Sequence, residues 1–239
     1  MTSADPFAWL AALEGVPSGY AGTRDGIDSL LVDRGRRRTT PEQTAQSLLQ
    51  GAHASAVLEG SQSSLEDLAS GEADEIAQAA LRVSTEVLSL VPVVKQAPLQ
   101  AFVRLHAVAA KGVIDESRLG RAITEVASRR IQELSQALTQ TKVPGLLQAA
   151  IAHGELITVA PFASHNGIVA RAAERLLMVA TGVDPASVVV PEAGHLALRP
   201  GYESHLRRLR EGGQAGLHAW LLYVADAQVK GAESSPVAR

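Results

Sequence analysis

The sequence predicts an all-α fold, a helical bundle organised around one central, buried helix. The first observation is segment 168–180, where apolar residues lie on nearly every side of a helix, and a helix that is hydrophobic all round is normally buried. The second is composition: 46% of the residues are hydrophobic but only 3% are aromatic, so Ala, Leu and Val must fill the core. The third is the scarcity of β-branched strand patterns, for which 187–190 is the best candidate.

Three regions are expected along the chain. Residues 1–40 are predicted to form a helical N-terminal extension, residues 41–230 one domain, and residues 231–239 a disordered tail. A length of 239 residues accommodates one large domain with a small extension. Segment 191–201 is predicted to be a loop, because Pro and Gly recur in it.

The first helix of the domain has a strong start signal. Thr40 is placed to be the N-cap, Pro41 takes the first helical position, and Gln43 completes a capping box. The apolar spacing continues this helix to residue 59, and Gly60 is placed to end it. A helix over 41–59 that ends in Glu-Gly is therefore predicted.

Composition and charge exclude several classes of function. The chain has no cysteine, which excludes disulfides and cysteine-based zinc sites. A formal charge of -3 gives no general case for nucleic-acid binding. The longest apolar runs fall short of the roughly 20 residues that span a bilayer, so no membrane association is expected. The seven histidines are scattered without the spacing of a zinc helix, so no metal site is predicted.

The segment that precedes the central helix has the makings of an anion site. A Pro-Phe turn leads into a short polar loop, and Asn166 and Gly167 suit the tight turn before the helix. The first N–H groups of a helix lack internal partners and, with the helix dipole, attract anions. Arg171 is the full positive charge nearest to this helix start. Asn166, Gly167 and Arg171 are therefore the candidates for binding a nucleotide or another anion.

This stretch resembles the signature loop of Fic (Fido-fold) proteins, His-Pro-Phe-x-Asp/Glu-Gly-Asn-Gly/Lys-Arg-x-x-Arg. Carried over in register, the matching residues are Pro161, Phe162, Asn166, Gly167 and Arg171. The resemblance implies a Fic-type helical bundle over 41–230. In the family it implies transfer of AMP from ATP to a protein hydroxyl group, with a magnesium ion.

The departures from the signature fall on its catalytic positions. Ala160 stands where the family has its catalytic histidine, and Ser164 replaces the acidic residue that helps to hold magnesium. His165 replaces a glycine, and Ile168 replaces the first arginine. Because alanine cannot accept a proton as a general base, no AMP transferase activity and no magnesium are expected. His165 remains the alternative as a substitute base.

The end of the first domain helix resembles a second Fic motif. The pattern Ser55-x-x-x-Glu59-Gly60 is similar to the autoinhibitory motif, Ser/Thr-x-x-x-Glu-Gly/Asn, on a helix before the catalytic core. In that class the glutamate pairs with the second arginine of the signature, so the resemblance implies contact between Glu59 and Arg171. The alternative interpretation is a polar helix end that serves as a structural brace.

The β-hairpin flap that Fic enzymes use to grip a target segment is predicted to be reduced or absent. The corresponding segment 119–141 suits a helix better than a strand pair, and only a short turn around Gly120 is expected. His106 and His153 both fall where Fic sequences often have histidine. We expect both to be hydrogen-bonded core residues.

Three functions are compatible with these observations. The first is a catalytically degenerate Fic-like protein, a pseudoenzyme of the cytoplasm, that binds ATP, another nucleotide or an unknown protein partner. The second is an enzyme with altered nucleotidyl or phosphoryl transfer chemistry, for which His165 and Arg171 are the candidates. The third is a structural or interaction protein, such as a homodimer, whose pocket is closed by side chains including Ile168 and His165.

Overall fold

The computed structural model describes residues 4–32 and 39–238, and no β-strand occurs among them. Two short 3₁₀ helices, at Val87–Leu90 and Glu116–Arg118, accompany the α-helices. The α-helices are α1 Ala8–Ala11, α2 Val16–Val32, α3 Pro41–Leu58, α4 Leu65–Ser70, α5 Glu75–Glu86, α6 Val91–Gln96, α7 Pro98–Ala110, α8 Glu125–Gln140, α9 Gly145–Val159, α10 Asn166–Ala180, α11 Pro191–Ala197, α12 Arg199–Glu211 and α13 Gly213–Glu233.

Helix α10 is the centre of the bundle, which confirms the predicted architecture. Every residue from Gly167 to Val179 is buried. The helix packs most extensively against α9 and also contacts α3, α5, α6, α7 and α11. Because neighbours surround it on all sides, its apolar residues face protein in every direction, as an all-round hydrophobic helix requires.

Helix α3 begins as predicted. The Thr40 side chain accepts a hydrogen bond from the Gln43 backbone N–H, and the Gln43 side chain accepts one from the Thr40 N–H. Pro41 lies in the first turn, where its missing N–H costs no helical hydrogen bond. This reciprocal capping box fixes the start of α3 and therefore the register of its other end at Glu59.

The N-terminal helices belong to the same core as the rest of the chain. Leu10 and Ile27 are buried in the main hydrophobic cluster. The Tyr20 hydroxyl donates a hydrogen bond to the Leu221 carbonyl oxygen on α13 at 2.9 Å, and α2 packs along that helix. Residues 1–3, 33–38 and 239 of the predicted extension and tail lie outside the described residues.

Two sequence predictions at the C-terminal end are wrong. Residues 187–190 form no strand: Ser187 has a left-handed backbone with φ 51°, the Val189 N–H donates to Asp184, and the Val190 N–H donates to the Gly231 carbonyl oxygen. Segment 191–201 is largely helical rather than a loop, since its prolines lie in the first turns of α11 and α12.

Residues 231–238 are ordered, whereas a disordered tail was predicted for 231–239. Helix α13 continues to Glu233, and Ser235 and Val237 beyond it are both 2% exposed. The Val237 N–H donates to the Ser235 hydroxyl oxygen, which closes a turn over the core. The buried side chains of Ala232, Ser235 and Val237 hold this short segment against the bundle, although polar residues surround them in the sequence.

Within residues 4–32 and 39–238, one helical stretch has the length and apolar composition of a membrane span. It covers Glu75–Gln96 and contains α5, a 3₁₀ turn and α6. Core helices have the same length and composition, so this feature alone does not assign a location in a membrane. Val83, Val87 and Val94 on this stretch are buried inside the bundle.

The contact between α11 and α13 depends on two glycines that allow the backbones to approach closely. A Cβ atom at Gly194 would overlap the carbonyl oxygen of Ala227 and come 2.7 Å from the Gly231 nitrogen. We expect Gly194→Ala to lower the free energy of unfolding by about 1–3 kcal/mol, because backbone atoms cannot move aside without separating the helices. Chemical denaturation measures this change.

Gly26→Ala is the matched control for that substitution. Gly26 lies on the exposed side of α2, and no heavy atom lies within 4 Å of the position that a Cβ atom would take there. The same exchange at this residue should stabilise the protein by roughly 0.5–1 kcal/mol through helix propensity. Equal effects of the two substitutions would contradict the close packing of α11 on α13.

Candidate functional site

The loop between α9 and α10 is held in a fixed conformation by its own residues. Helix α9 ends at Val159, and its C-cap residue Ala160 has a left-handed backbone with φ 44°; α10 begins at Asn166, after the N-cap residue His165 with φ 56°. The Asn166 side chain donates to the Phe162 carbonyl oxygen at 2.8 Å and accepts from the Phe162 N–H at 2.9 Å. The loop is therefore closed by one asparagine that binds both backbone groups of Phe162.

Arg171 lies one turn into α10 and is 1% exposed. Its Nε–H donates to the Ser55 hydroxyl at 2.9 Å, and Nη2 donates to the Ser55 carbonyl oxygen at 3.1 Å. Nη1 donates to the Tyr202 hydroxyl at 3.1 Å, and Nη2 also donates to Glu59 Oε1 at 2.7 Å. Since the Ser55 carbonyl is in the last turn of α3, the guanidinium caps that helix and complements its dipole.

The end of α3 places Glu59 directly over the start of α10. The Ser61 N–H donates to the Ala56 carbonyl and the Gly60 N–H donates to the Val57 carbonyl, which is a Schellman motif with Gly60 at φ 99°. A Cβ atom at Gly167 would overlap Glu59 Oε1. The Glu59 carboxylate therefore lies directly against the first turn of α10.

The burial of this ion pair is unequal. The Arg171 side chain is 1% exposed, whereas the Glu59 side chain is 33% exposed. Arg171 keeps acceptors on Ser55 and Tyr202 that do not depend on Glu59. Glu59 is thus the accessible partner of the pair and the one that can move toward solvent.

The structure brings most of the candidate site residues together. Ser55, Glu59 and Arg171 are in direct contact, and Gly167 lies beneath the carboxylate. Asn166 is in the site region, but its side chain amide is used within the loop. The pairing of Glu59 with Arg171 that the motif resemblance implied is present.

The loop positions that correspond to catalytic residues in the Fic signature are Ala160, Ser164 and His165 in this chain. Ala160 presents a methyl group. His165 Nδ1 is 2.8 Å from the Ser164 hydroxyl oxygen. Burial, aided by the charge of Arg82, lowers the pKa of His165, so the imidazole is neutral at pH 7. Its Nδ1 is paired with Ser164, so Nε2 is the ring nitrogen through which His165 could accept a proton.

The segment where Fic enzymes have their β-hairpin flap consists mainly of turns in this chain, and it contacts the loop between α9 and α10. The Gly120 N–H donates to His106 Nδ1 at 2.9 Å, and the His106 ring stacks on Phe162 with a centroid distance of 4.3 Å. The Ile123 N–H donates to the Pro161 carbonyl oxygen at 2.8 Å. Burial lowers the pKa of His106 to about 4, consistent with a neutral ring that accepts a hydrogen bond.

Sequence reasoning missed a cluster of buried polar groups behind Arg171. Glu174 is fully buried, and its Oε2 lies 2.6 Å from His153 Nδ1 and 2.8 Å from His195 Nε2. His153 is a core residue as expected, and its Nε2 lies 3.0 Å from the Tyr202 hydroxyl. The sequence feature that could have revealed this cluster is Glu174 itself, a charged residue on a helix that is predicted to be buried on nearly every side.

This cluster has the donor types of a divalent metal site. His153, Glu174 and His195 each offer one ligand atom, and these atoms lie within 4.8 Å of one another. Two imidazoles and a carboxylate suit zinc or iron. At 2.6 and 2.8 Å, however, the nitrogens are at hydrogen-bonding distance from the same carboxylate oxygen.

Comparison with known proteins gives a structural match and no sequence match. No protein-family model and no curated protein matches the chain. A Fic family protein from Desulfovibrio desulfuricans G20 superposes with a TM-score of 0.72 at 15% identity, over 90% of this chain and 73% of its own. The chain has the Fic fold. Fic-1 from C. elegans gives a TM-score of 0.70 at 15% identity, over 91% and 71% of the two chains.

A third solved structure is a Fic-1 variant from C. elegans in which a glutamate is replaced by glycine. It superposes with a TM-score of 0.67 at 15% identity, over 89% of this chain and 70% of its own. All three matches are to proteins of the Fic fold. The described part of this chain, residues 4–32 and 39–238, contains helices and no β-strand. Identity at this level establishes the fold, and function must be argued from the site.

Proposed function

We propose that this protein is a catalytically degenerate Fic-like protein that acts as a binding or regulatory module. The observation that supports it most strongly is the 2.7 Å contact of Glu59 with Arg171 at the start of α10, next to a loop without its catalytic base. The site retains the groups that hold an anion and lacks those that transfer one. Its ligand class is a nucleotide such as ADP or ATP.

The loss of transferase chemistry follows from two side chains. A general base must reach the hydroxyl that attacks the phosphorus atom, and Ala160 has no such group. Ser164 offers a neutral hydroxyl where a carboxylate would hold a divalent cation, and hard cations prefer charged oxygen ligands. Nucleotide binding at this site is therefore expected to be independent of magnesium.

Anion binding remains chemically available once Glu59 moves. A phosphate in place of the carboxylate would accept from Arg171 Nη2 and from the free N–H groups at the start of α10. Glu59 is one-third exposed, so its side chain can turn into solvent with a small loss of buried contact. The module would then have a closed state with Glu59 bound and an open state with a phosphate bound.

A structural role is the second candidate, and one observation favours it. Ile168 is 2% exposed and occupies the position of the first signature arginine, so half of the family's phosphate-binding charge is replaced by packing. In this case the Glu59–Arg171 pair only braces α3 against α10. Nucleotide titration separates the two candidates.

The test of catalytic degeneracy is transfer of label from ATP. Incubation of the purified chain with labelled ATP, magnesium and cell lysate should give no labelled protein, either with the wild-type chain or with Glu59→Gly. The reason is the missing base at Ala160, which opening the site does not restore. Transfer by the wild-type chain that His165→Ala abolishes would contradict the proposal and identify His165 as the base.

A further inference from the structure

A chain of hydrogen bonds leads from Arg171 into the core, on the side of the guanidinium away from Ser55 and Glu59. Arg171 Nη1 is 3.1 Å from Tyr202 Oη, which is 3.0 Å from His153 Nε2. His153 Nδ1 is in turn 2.6 Å from Glu174 Oε2. Arg171 and Glu174 are three residues apart on α10 and so share one face of the helix. The path therefore begins and ends on two opposite charges of the same buried helix.

The proton positions along this path follow from which atoms can donate. Arginine can only donate, so Tyr202 Oη accepts from Arg171 and must send its own proton to His153 Nε2. His153 then carries its proton on Nδ1 and donates to Glu174, which accepts as a carboxylate. The opposite assignment would leave the Tyr202 proton without an acceptor. Burial lowers the pKa of His153 to about 4, in agreement with a neutral ring.

The Glu174 carboxylate has two further hydrogen-bonding partners besides His153. His195 Nε2 lies 2.8 Å from Oε2, and the Gln228 amide donates to Oε1 at 3.0 Å. Burial alone would raise the pKa of Glu174, but the two histidine rings lower it below its ordinary value. Ligands of one tetrahedral zinc ion would be roughly 3.3 Å apart, so the observed separations fit hydrogen bonds better than coordination.

We propose that Tyr202 and His153 are positioning residues that connect Arg171 to Glu174, and that Glu174 is the permanent counter-charge of Arg171. Glu59 is then an exchangeable outer partner, whose departure leaves no uncompensated buried charge. This inference rests on the proposed function only for the role of Arg171 as the anion contact. It explains how the site can open without destabilising α10.

The first arm of the test reads the proton positions in the wild-type chain. Nitrogen-15 NMR at pH 7 should find His153 neutral with its proton on Nδ1, the nitrogen that faces Glu174. A proton on His153 Nε2 would overturn the proposal, because Tyr202 could then not donate to that ring. So would stoichiometric zinc binding that shifts the ring signals of His153 and His195 and disappears in Glu174→Gln.

The second arm uses Tyr202→Phe, which deletes the one oxygen that joins Arg171 to His153. The Arg171 Nε–H signal should shift and exchange faster with solvent, and the proton of His153 should redistribute between its ring nitrogens. In a Glu59→Gly background the Kd for ADP should rise about tenfold. Unchanged Arg171 and His153 signals would overturn the proposal.

Tyr20→Phe is the matched control. The Tyr20 hydroxyl is also buried and donates to a backbone carbonyl, but it lies on α2 against α13, away from this path. This variant should leave the Arg171 signal unchanged and the ADP Kd within twofold of its parent. Equal effects of Tyr20→Phe and Tyr202→Phe would mean general loosening of the core and would overturn the positioning role. If the Glu59→Gly parent binds no ADP, the proposed function fails, while the NMR signals still decide the hydrogen-bonded path.

Discussion

Replacing Glu192 with leucine is expected to lower the free energy of unfolding by about 3–5 kcal/mol, because it leaves a buried guanidinium without its counter-charge. Arg175 on α10 forms a fork with Glu192 on α11, with Nε at 2.9 Å and Nη2 at 2.6 Å from the two carboxylate oxygens. Their side chains are 2% and 6% exposed. Ser47 and Ser187 accept from Nη1, at 3.0 and 3.1 Å, but neither carries a charge.

Two controls accompany this prediction, which urea denaturation measures. The double variant Arg175→Met, Glu192→Leu should lose less stability than Glu192→Leu alone, since neither charge remains buried. Glu203→Leu removes the acid of an exposed pair with Arg199, whose side chains are 45% and 53% exposed. That variant should lose at most about 1 kcal/mol. A Glu192→Leu loss as small as that of Glu203→Leu would contradict the buried bridge.

Replacing Glu59 with glycine is expected to increase affinity for ADP at least tenfold. The wild-type carboxylate competes with phosphate for Arg171 Nη2, and hydrogen bonds to charged groups contribute about 1.5–3 kcal/mol, which is roughly a ten- to hundredfold change in Kd. The stability cost should be about 1 kcal/mol or less, because Glu59 is one-third exposed and Arg171 keeps its bonds to Ser55.

Two variants separate charge from shape in this prediction. Glu59→Gln keeps the size of the side chain and removes its charge, so it should gain part of the affinity. Arg171→Gln in the Glu59→Gly background should lose the gain, because the guanidinium is the charged group of the proposed phosphate site. If Arg171→Gln retained full affinity, ADP would be binding elsewhere.

The contact between α3 and α10 was predictable because its two halves are short, local sequence patterns. The loop from Pro161 to Gly167 matches part of the Fic signature, and the helix end at Glu59 and Gly60 matches the inhibitory motif, each within a few consecutive residues. The apolar residues on nearly every side of segment 168–180 also predicted a buried helix correctly. Local capping rules and helical spacing act over a few residues, so a single sequence contains them.

Helices α11 and α12 were harder to predict because proline can either interrupt a helix or occupy its first turn. Pro191 and Pro200 looked like breaks, but each lies in the first turn of a helix, where a missing N–H has no cost. His195 consequently fell in a segment expected to be a loop. Its partnership with Glu174 joins residues of different helices, and such contacts leave no periodic signal in the sequence.

The most direct measurement of the central claim is calorimetric titration of ADP into the wild-type chain and into Glu59→Gly, without magnesium. We expect saturable binding by Glu59→Gly, and binding at least tenfold weaker or undetectable for the wild type. Absence of heat from both chains, or equal affinity in both, would contradict an anion site that Glu59 keeps closed.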